Sequence, residues 1–349
     1  MTALTPRSYA VCLALCGLAL VATVALSPGI GARSDEIGLR SAWRSFFSGD
    51  TGSVAYWIAF NLRLPRTLLA IAVGITLALA GAVFQVLFRN ALATPYTLGI
   101  ASGGSLGALT AIKLGLACSF VGVSAVALMS FAGAVAVIAI LFAFTRGARR
   151  LTTNELLLCG VTLGLFCSAM MMLLTYLSGA RETFAIVRWM MGSLDTIGNL
   201  ELRSTLPMIV PAWAVLLLSA RSLNQYVLGE ELAAARGVHV ARLQAVCILF
   251  SSLAVAAVVA VCGPIGFVGL VVPHAVALVV GRDCRILLPA SALMGGVFLA
   301  VCDWFSQLAM PWIGAATGRD LGSAVLPIGV VTAVVGVPIF LALLHRRTT

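Results

Sequence analysis

The chain has 349 residues, of which 61% are hydrophobic and only 10% are charged, and its mean hydropathy is +1.09. A soluble domain carries about 25% charged residues, so this composition excludes a soluble globular protein and indicates an integral membrane protein. The net charge of +10 comes almost entirely from arginines dispersed between apolar blocks, which argues against nucleic acid as a partner and favours topology signals and contacts with membrane lipid.

The first predicted element is an apolar run over residues 9–26, preceded by Arg7 and followed by a Ser-Pro-Gly sequence. This arrangement resembles a signal peptide, but the run is longer than the apolar region of a usual signal peptide. More apolar blocks follow it along the chain. We therefore interpret it as an uncleaved first transmembrane helix.

Apolar blocks continue along the chain, and a helix needs about 20 apolar residues to cross a bilayer. The ten predicted helices cover residues 9–26, 64–88, 96–114, 119–144, 155–177, 204–220, 242–262, 266–280, 287–309 and 325–345. The connections are too short for a soluble domain, so residues 1–349 are predicted to form a single transmembrane domain. The fold class is an all-α polytopic membrane protein of about ten transmembrane helices. The eighth helix is short and would need tilt, or the segment before it, to cross.

The segment Cys262–His274 interrupts this pattern, because it is apolar yet contains three glycines and two prolines. Glycine and proline interrupt backbone hydrogen bonding, and an unpaired amide is costly in hydrocarbon. Such backbone is tolerated only where protein covers it or where it lines a cavity. The segment therefore points to a protein that moves something across the membrane.

The distribution of arginine orients the chain, since cytoplasmic loops carry an excess of basic residues. With the N-terminus in the cytoplasm, the inner segments hold the larger basic excess, which predicts that both termini are cytoplasmic. The segment 27–62 then lies on the outer side of the membrane. Its mixture of Gly, Ser, Arg and aromatic residues predicts a partly helical segment against the membrane surface.

The inner segment 221–241 contains a short predicted helix, Glu230–Arg236, between Gly229 and Gly237. Its acidic residues fall in the first turn and its arginine in the last, which matches the helix dipole. A charged helix in a tight cytoplasmic loop is a docking element for a soluble partner or a simple solvated connector, and the spacing leaves both interpretations open.

Motifs for catalysis or cofactor binding are absent from the sequence. There is no Gly-x-x-x-x-Gly-Lys-Ser/Thr nucleotide-binding motif and no Cys-x-x-Cys, and the three histidines, at 239, 274 and 345, lie far apart. The nine cysteines are scattered, mostly in apolar segments, which is typical of small buried residues. We predict no bound cofactor, metal ion or catalytic residue, and any use of ATP requires another chain.

Four stretches carry a resemblance to a known family. They are Arg63–Pro95, Leu98–Ser105, Leu228–Val238 followed by Gly263–Gly269, and Leu326–Pro338. Together they resemble the permease subunits of ABC importers for iron siderophores, haem and vitamin B12, the FecCD type, over nearly the whole chain from residue 60. The pair Asn90-Ala91 departs from the Asn-Pro of the family, which changes a helix end and not the class.

The resemblance implies a type II ABC importer permease that forms a homodimer in a bacterial inner membrane. Two ATP-binding cassette subunits would sit beneath it, and a periplasmic substrate-binding protein would sit above it. The partner subunit would use the ATP, and cargo would pass along the dimer interface. An iron complex, either haem or a ferric siderophore, is the expected cargo, and cobalamin is the alternative within the family. A proton-coupled secondary transporter is the rival class.

The resemblance also implies roles for individual residues. The segment 221–241 matches the coupling helices that contact the ATPase, through Leu228, Gly229, Glu230, Glu231, Ala234, Arg236 and Gly237. Arg63 and Arg66 match outer arginines that pair with carboxylates of the binding protein, and Arg319 is a weaker match for a third. Arginine offers carboxylates a fixed fork of donors, and anchoring in lipid headgroups stays open as the other role of Arg63 and Arg66.

Several residues inside the predicted membrane region have two interpretations. An intramembrane acid is a functional hypothesis by default, so Asp303 is either a structural polar contact or the relay of a proton-coupled carrier. His274 also has two interpretations. Pro273 before it frees a backbone carbonyl that could accept the proton of the His274 ring, or the His274 ring contacts haem iron in transit. Five methionines either pack in the core or line the translocation path: Met170, Met171, Met172, Met190 and Met191. Four glycines at helical spacings allow close helix packing or face a cavity: Gly99, Gly103, Gly104 and Gly107.

Overall fold

The computed structural model describes residues 6–31, 38–48, 51–116, 119–120, 123–147, 153–195, 199–317 and 325–348, which contain fifteen α-helices. These are α1 (Pro6–Leu26), α2 (Leu39–Phe47), α3 (Val54–Trp57), α4 (Leu64–Leu87), α5 (Ile100–Lys113), α6 (Ala125–Gly147), α7 (Thr153–Tyr176), α8 (Ala180–Met190), α9 (Leu200–Leu218), α10 (Ala220–Val227), α11 (Glu230–Ala235), α12 (Val240–Cys262), α13 (Val268–Val280), α14 (Cys284–Thr317) and α15 (Ile328–Thr348). Two 3-10 turns, Ser27–Gly29 and Pro95–Leu98, and a π-helical stretch, Ile58–Arg63, complete the helical part of the described chain.

Each of the ten predicted transmembrane helices coincides with a helix of the structure: α1, α4, α5, α6, α7, α9, α12, α13, α14 and α15. In the described part of the chain, seven helical stretches are long and apolar enough to cross a membrane, and two shorter apolar helices lie at 268–280 and 328–343. The chain is therefore a multi-pass membrane protein. The predicted shortness of the eighth helix is confirmed, since α13 has 13 residues and needs about 20 to span a bilayer.

The predicted start of the fourth helix at residue 119 is wrong. Ser119–Phe120 (β1) and Val123–Ser124 (β2) form an antiparallel two-stranded sheet, and α6 begins at Ala125. Aromatic and β-branched residues favour extended backbone, and the apolar run alone does not distinguish the two structures.

Other helix limits also differ from the predicted ones. The helix predicted over 204–220 begins at Leu200, and the helix predicted over 287–309 extends through 284–317. Both extensions carry polar or small residues that an apolar window leaves out. The helices α8 and α10 lie outside the predicted set for the same reason, since each is short and contains arginine.

The centre of the bundle is α4, which packs against α9, α12, α13 and α14. Glycines let its backbone approach two of these neighbours closely. A Cβ added at Gly74 would overlap the carbonyl of Gly295 on α14, and one added at Gly81 would overlap the carbonyl of Gly269 on α13. Small residues are the usual means of close helix packing in membranes.

A second close helix pair is formed by α5 and α6. A Cβ added at Gly103 would meet the carbonyl of Gly133, and one added at Gly107 would overlap the carbonyl of Met129. The interpretation of these glycines as packing positions is confirmed for Gly103 and Gly107.

The irregular segment between α12 and α13 is partly covered by protein, with Gly263 and Ile265 buried and Pro264, Gly266 and Phe267 half-buried. The Ser193 amide donates to the Cys262 carbonyl at 2.8 Å. The Tyr96 hydroxyl accepts from the Ile265 amide at 2.8 Å and donates to the Ile265 carbonyl at 2.6 Å. These partners satisfy backbone groups of Cys262 and Ile265, while Gly266 and Phe267 line a cleft, so the segment is partly covered and partly lines a cavity, as irregular backbone in a membrane requires.

Pro273 inside α13 leaves one backbone carbonyl without its helical donor, and a side chain of α4 supplies another donor. Pro273 has no amide hydrogen, so the carbonyl four residues earlier, on Gly269, lacks its helical donor. Gln85 Nε2 on α4 lies 3.4 Å from that carbonyl and 3.1 Å from the carbonyl of Leu270. The side chain of Gln85 therefore compensates for the proline.

Candidate functional site

The first candidate site is the inner segment formed by α10 and α11. Gly229 and Gly237 bracket α11 with φ angles of +133° and +85°, a range that favours glycine. The Gly237 amide donates to the Ala234 carbonyl at 2.9 Å, and the Val238 amide donates to the Ala233 carbonyl at 3.0 Å. These two bonds form a Schellman ending. The predicted short helix between two glycines is confirmed, with α11 ending one residue earlier, at Ala235.

Five residues, Leu87, Arg89, Tyr226, Glu230 and Gln244, join this segment to α4 and α12, and we call them the inner junction. The Tyr226 side chain is buried, and its hydroxyl lies 3.2 Å from the Leu87 carbonyl and 3.1 Å from Glu230 Oε1. Gln244 Nε2 donates to the same hydroxyl at 3.0 Å. Arg89 Nη2 donates to the Tyr226 carbonyl at 3.0 Å, with its guanidinium 5.2 Å from the ring centre. The inner junction thus connects α11 to the end of α4.

A further contact joins α10 to the first turn of α14. Asn224 Nδ2 donates to Asp283 Oδ1 at 2.6 Å, and Asn224 Oδ1 accepts from the Cys284 amide at 2.7 Å. Asp283 Oδ1 also accepts from the Arg285 amide at 2.9 Å, which is the geometry of an N-cap. Because a side chain of α10 helps to cap α14, displacement of α10 acts directly on that helix.

The other face of the inner segment is uncovered in the single chain. Leu228 and Leu232 are 57% and 54% exposed. The predicted coupling residues Glu230, Glu231, Ala234, Arg236 and Gly237 are also exposed, and Gly229 is half-buried. Exposed apolar side chains beside charged ones are typical of an interaction surface.

The second candidate site lies at the opposite end of α4. Asp303 on α14 is fully buried, and its two carboxylate oxygens each accept from Arg66 Nε at 3.0 Å. Arg66 Nη2 donates to Asp303 Oδ1 at 2.8 Å, and Gln307 Nε2 donates to Oδ2 at 2.8 Å. Asp303 therefore makes a structural polar contact, with the pairing that a buried carboxylate requires.

A cleft of about 550 Å³ opens beside Arg66, and we call it the outer cleft. Its apolar wall comes from α8 and from the residues that lead into α15: Phe184, Val187, Met191, Leu326 and Pro327. Its charged groups are Arg66, Arg188 and Asp195. The Asp195 carboxylate lies 3.0 Å from Arg66 Nη1 and 3.6 Å from Arg188 Nη2.

An ion pair fixes the start of α8, the helix that carries Arg188. Lys113 Nζ lies 2.8 Å from Glu182 Oε2, and the same oxygen accepts from the Gly179 amide at 3.2 Å. The hydrogen bond from Lys113 lowers the pKa of Glu182 below its usual value. Both donors favour the ionised carboxylate, so α8 is attached to the end of α5 most firmly when Glu182 is charged.

The predicted outer arginines occupy different positions. Arg63 is buried, and its Nη1 donates to the Pro28 carbonyl at 2.9 Å. Arg66 is mostly buried and paired with acids of its own chain. Arg319 lies outside the described residues. Contact of these three arginines with a binding protein stays a prediction.

The five methionines do not form one group. Met171 is buried against Leu109 and Ile186, whereas Met172 is 76% exposed. Met170 is half-buried, and Met190 and Met191 are exposed at the end of α8, with Met191 lining the outer cleft. Lining of a translocation path by any of them stays a prediction.

The buried His274 packs its ring 5.8 Å from that of Phe340 on α15. Within the described ranges, no group of three or more His, Cys, Asp and Glu is arranged to hold a metal ion.

Sequence reasoning missed four functional candidates: Asn224, Tyr226, Arg188 and Asp195. Tyr226 precedes Glu230 by four residues, and this spacing places two side chains on one face of a continuous helix. Gly229 breaks the helix between them, so the spacing alone is a weak signal. Arg188 and Asp195 lie on either side of a helix end, and their pairing depends on the path of the chain between them.

Comparison with known proteins gives a consistent result. Residues 19–346 match the profile described as the FecCD transport family. The sequence is 38% identical over 297 residues to the vitamin B12 import system permease protein BtuC of Salmonella paratyphi A, covering 84% of this chain and 85% of the relative. It is 40% identical over 290 residues to the cobalamin import system permease protein BtuC of Halobacterium salinarum, covering 83% and 74%. A Bacillus subtilis relative, the ABC transporter permease YvrB, is described as uncharacterized and is 37% identical over 88% of this chain and 85% of its own length.

Solved structures agree with the sequence comparison. One, described as a metal-chelate type ABC transporter in an inward-facing conformation, superimposes with a TM-score of 0.80 at 31% identity, covering 97% of this chain and 99% of its own. The fold is therefore that of a type II ABC importer permease, as the sequence predicts. PsaBC from Streptococcus pneumoniae, in complex with a Fab, shares the fold at a TM-score of 0.50 and 17% identity, covering 86% of this chain and 95% of its own.

Proposed function

Because the chain belongs to the FecCD transport family, we propose that this ABC importer permease forms a homodimer and carries an iron complex from periplasm to cytoplasm. It would lie in a bacterial inner membrane with both termini cytoplasmic. ATP would be hydrolysed on separate ATP-binding cassette subunits, and a periplasmic binding protein would deliver the cargo. The permease would do no chemistry. Its task would be to alternate between two states whose relative stability its partners change.

The observation that carries this proposal is the inner segment. Its uncovered face presents Leu228, Leu232 and Glu231, and its buried face is bonded through Tyr226 to α4 and through Asn224 to the start of α14. A surface of this kind can receive a movement from a soluble partner and pass it to the two long helices. A simple solvated connector has no need of such bonding.

An iron complex is our first choice of cargo, with haem and ferric siderophores as the two chemical classes. The family likeness and the metal-chelate type of the structural relative support it. Cobalamin is the second candidate, because two of the relatives described above are named as importers of vitamin B12 or cobalamin.

A proton-coupled secondary transporter, the rival class, would need an ionisable group that is free to exchange protons. Asp303 is held instead by Arg66 and Gln307. This pairing favours a structural role, which supports the ATP-driven proposal.

Uptake into proteoliposomes tests the proposal. The chain and its ATPase would be reconstituted together, the binding protein supplied outside, and haem, a ferric siderophore and cobalamin offered in parallel. We expect ATP-dependent accumulation of one cargo, and accumulation of cobalamin alone would replace the iron complex as cargo. Uptake driven by a proton gradient without ATP, and lost in Asp303→Asn, would support the rival class.

A second experiment tests the docking surface. The double variant Glu230→Lys/Glu231→Lys reverses the charge of the first turn of α11, and we expect it to abolish co-purification of the ATPase. The matched control is Glu201→Lys, which reverses an acid at the start of α9. Equal recovery of the ATPase with both variants would contradict docking at α11.

A further inference from the structure

We propose that the outer cleft is a weak binding site for an amphipathic chelate that carries a carboxylate, and that this carboxylate replaces Asp195 on Arg188 and Arg66. The inference rests on the proposed function, because it assigns the cleft to cargo that enters from the outer side. It names the chemical class of that cargo: an apolar body with at least one carboxylate.

The size and lining of the cleft suit a small molecule. Its volume of about 550 Å³ falls within the range of about 300–1,000 Å³ that ligand pockets occupy. Phe184, Val187 and Met191 line one side, and Leu326 and Pro327 line the other. An apolar wall with a few charged groups is the composition that orients a ligand with one polar end.

The arrangement of Arg66 leaves one donor group for the cleft. Its Nε and Nη2 are both used by the buried Asp303, which fixes the plane of the guanidinium. Its Nη1 faces the cleft and donates to Asp195 at 3.0 Å. A planar guanidinium held in this way is a preorganised receptor for a carboxylate oxygen.

Arg188 is the second cation of the cleft and is less fully engaged. Its side chain is 72% exposed, and its Nη2 is 3.6 Å from Asp195 Oδ2, longer than the usual 2.7–2.9 Å of a charge-assisted hydrogen bond. Asp195 is itself 50% exposed. A half-exposed carboxylate between two guanidiniums marks the position that an incoming carboxylate can take.

Asp195 also accounts for the weakness of the site. A ligand carboxylate must displace it or lie beside a like charge, and either step reduces affinity. Weak binding suits a transporter, because cargo that binds tightly in one state is released slowly from it.

The wall of the outer cleft on the α15 side is attached to its surroundings by backbone hydrogen bonds, since the Leu326 amide donates to the Ser306 carbonyl and the Gly329 amide donates to the Met191 carbonyl.

The test uses protoporphyrin IX, a metal-free apolar ring with two carboxylates, so that axial ligation of iron does not contribute. Binding to the permease–ATPase complex in nanodiscs would be followed by porphyrin fluorescence, with empty nanodiscs subtracted. We expect Arg188→Gln to weaken binding about tenfold, the loss of one hydrogen bond to a charged group. We expect Asp195→Asn to strengthen it severalfold. The matched control is Arg181→Gln, an exposed arginine on the same helix outside the cleft.

Equal binding by the Arg188→Gln and Arg181→Gln complexes would overturn the inference, and so would unchanged or weaker binding by Asp195→Asn. The dimethyl ester of protoporphyrin IX keeps the apolar ring but has no free carboxylate. If Arg188→Gln weakens binding of the ester as much as it weakens binding of the acid, the inference is also overturned. The proposed function is judged separately, by ATP-dependent uptake in the wild type. ATP-dependent uptake by the wild type, together with porphyrin binding that is unchanged in Arg188→Gln, would rule out this binding site and leave the proposed function standing.

Discussion

The guanidinium of Arg66 and the carboxylate of Asp303 form a buried ion pair, with Nη2 and Oδ1 2.8 Å apart, between α4 and α14. The same two helices approach closely at Gly74 and Gly295. At their other ends, both helices are bonded to α10. The Leu87 carbonyl at the end of α4 is bonded to Tyr226, and Asp283 and Cys284 at the start of α14 are bonded to Asn224. The ion pair therefore joins α4 and α14 on the outer side, and the inner segment contacts the opposite ends of the same two helices.

Removing Arg66 alone is expected to be costly. Arg66→Met leaves the Asp303 carboxylate buried with Gln307 as its remaining donor among the described residues, and breaking a buried pair in this way costs about 3–5 kcal/mol. Replacing both partners, as in Arg66→Met/Asp303→Leu, leaves no uncompensated charge and is expected to recover most of that loss. Unfolding free energies from detergent titration of the two variants would measure the difference. A double variant less stable than Arg66→Met would contradict a paired role.

The close approach of α4 and α14 yields a second prediction. An alanine at Gly74 would place its Cβ against the backbone of Gly295, so the helices must separate, at a cost of about 1–3 kcal/mol. The matched control is Gly17→Ala on α1, where an added Cβ meets no atom within 4 Å. Thermal unfolding of both variants in the same detergent would test this, and equal melting temperatures would show that the two helices can separate without loss.

The fold was largely predictable because membrane spans are set by local apolar composition. All ten predicted spans fall on helices, and the Gly-Pro segment after α12 is irregular. The pairing of β1 with β2 and the charged helix α8 were not predictable in this way. Residues 119–124 continue into the apolar block that forms α6, and α8 is short and contains arginine, so apolar composition alone does not reveal either structure.

The candidate sites were predictable only in part. The two glycines around α11 carry a local signal, because positive φ angles favour glycine. The partner of Asp303 was a different matter, since Arg66 is 237 positions away and single-sequence patterns hold no information on such pairs. The same limit applies to the pairing of Arg66 with Asp195, and contact of Arg66 with a binding protein stays a prediction.

The pair of Lys113 and Glu182 predicts a pH dependence. The pKa of Glu182 is lowered in the folded chain, so its ionised form favours folding. This contribution is fully present above the unfolded value of about 4.3 and is lost as the pH falls through the lower folded value. We expect the melting-temperature difference between the wild type and Glu182→Gln to be present at pH 7 and to shrink as the pH falls below the unfolded value of about 4.3. A difference of the same size at pH 7 and at pH 3 would show that packing, not charge, sets it.

The inner junction predicts a separation of ATP hydrolysis from transport. Tyr226→Phe removes the hydroxyl that meets Leu87 and Gln244 at a cost of about 1 kcal/mol, while the exposed face of α11 is unchanged. The ATPase should therefore still co-purify, and uptake per ATP hydrolysed should fall because α11 is less firmly joined to α4. Tyr176→Phe is the matched control, since Tyr176 is 85% exposed on α7. An unchanged ratio of uptake to hydrolysis in Tyr226→Phe would show that movement reaches the bundle by another route, of which the Asn224 contact with α14 is the next to test.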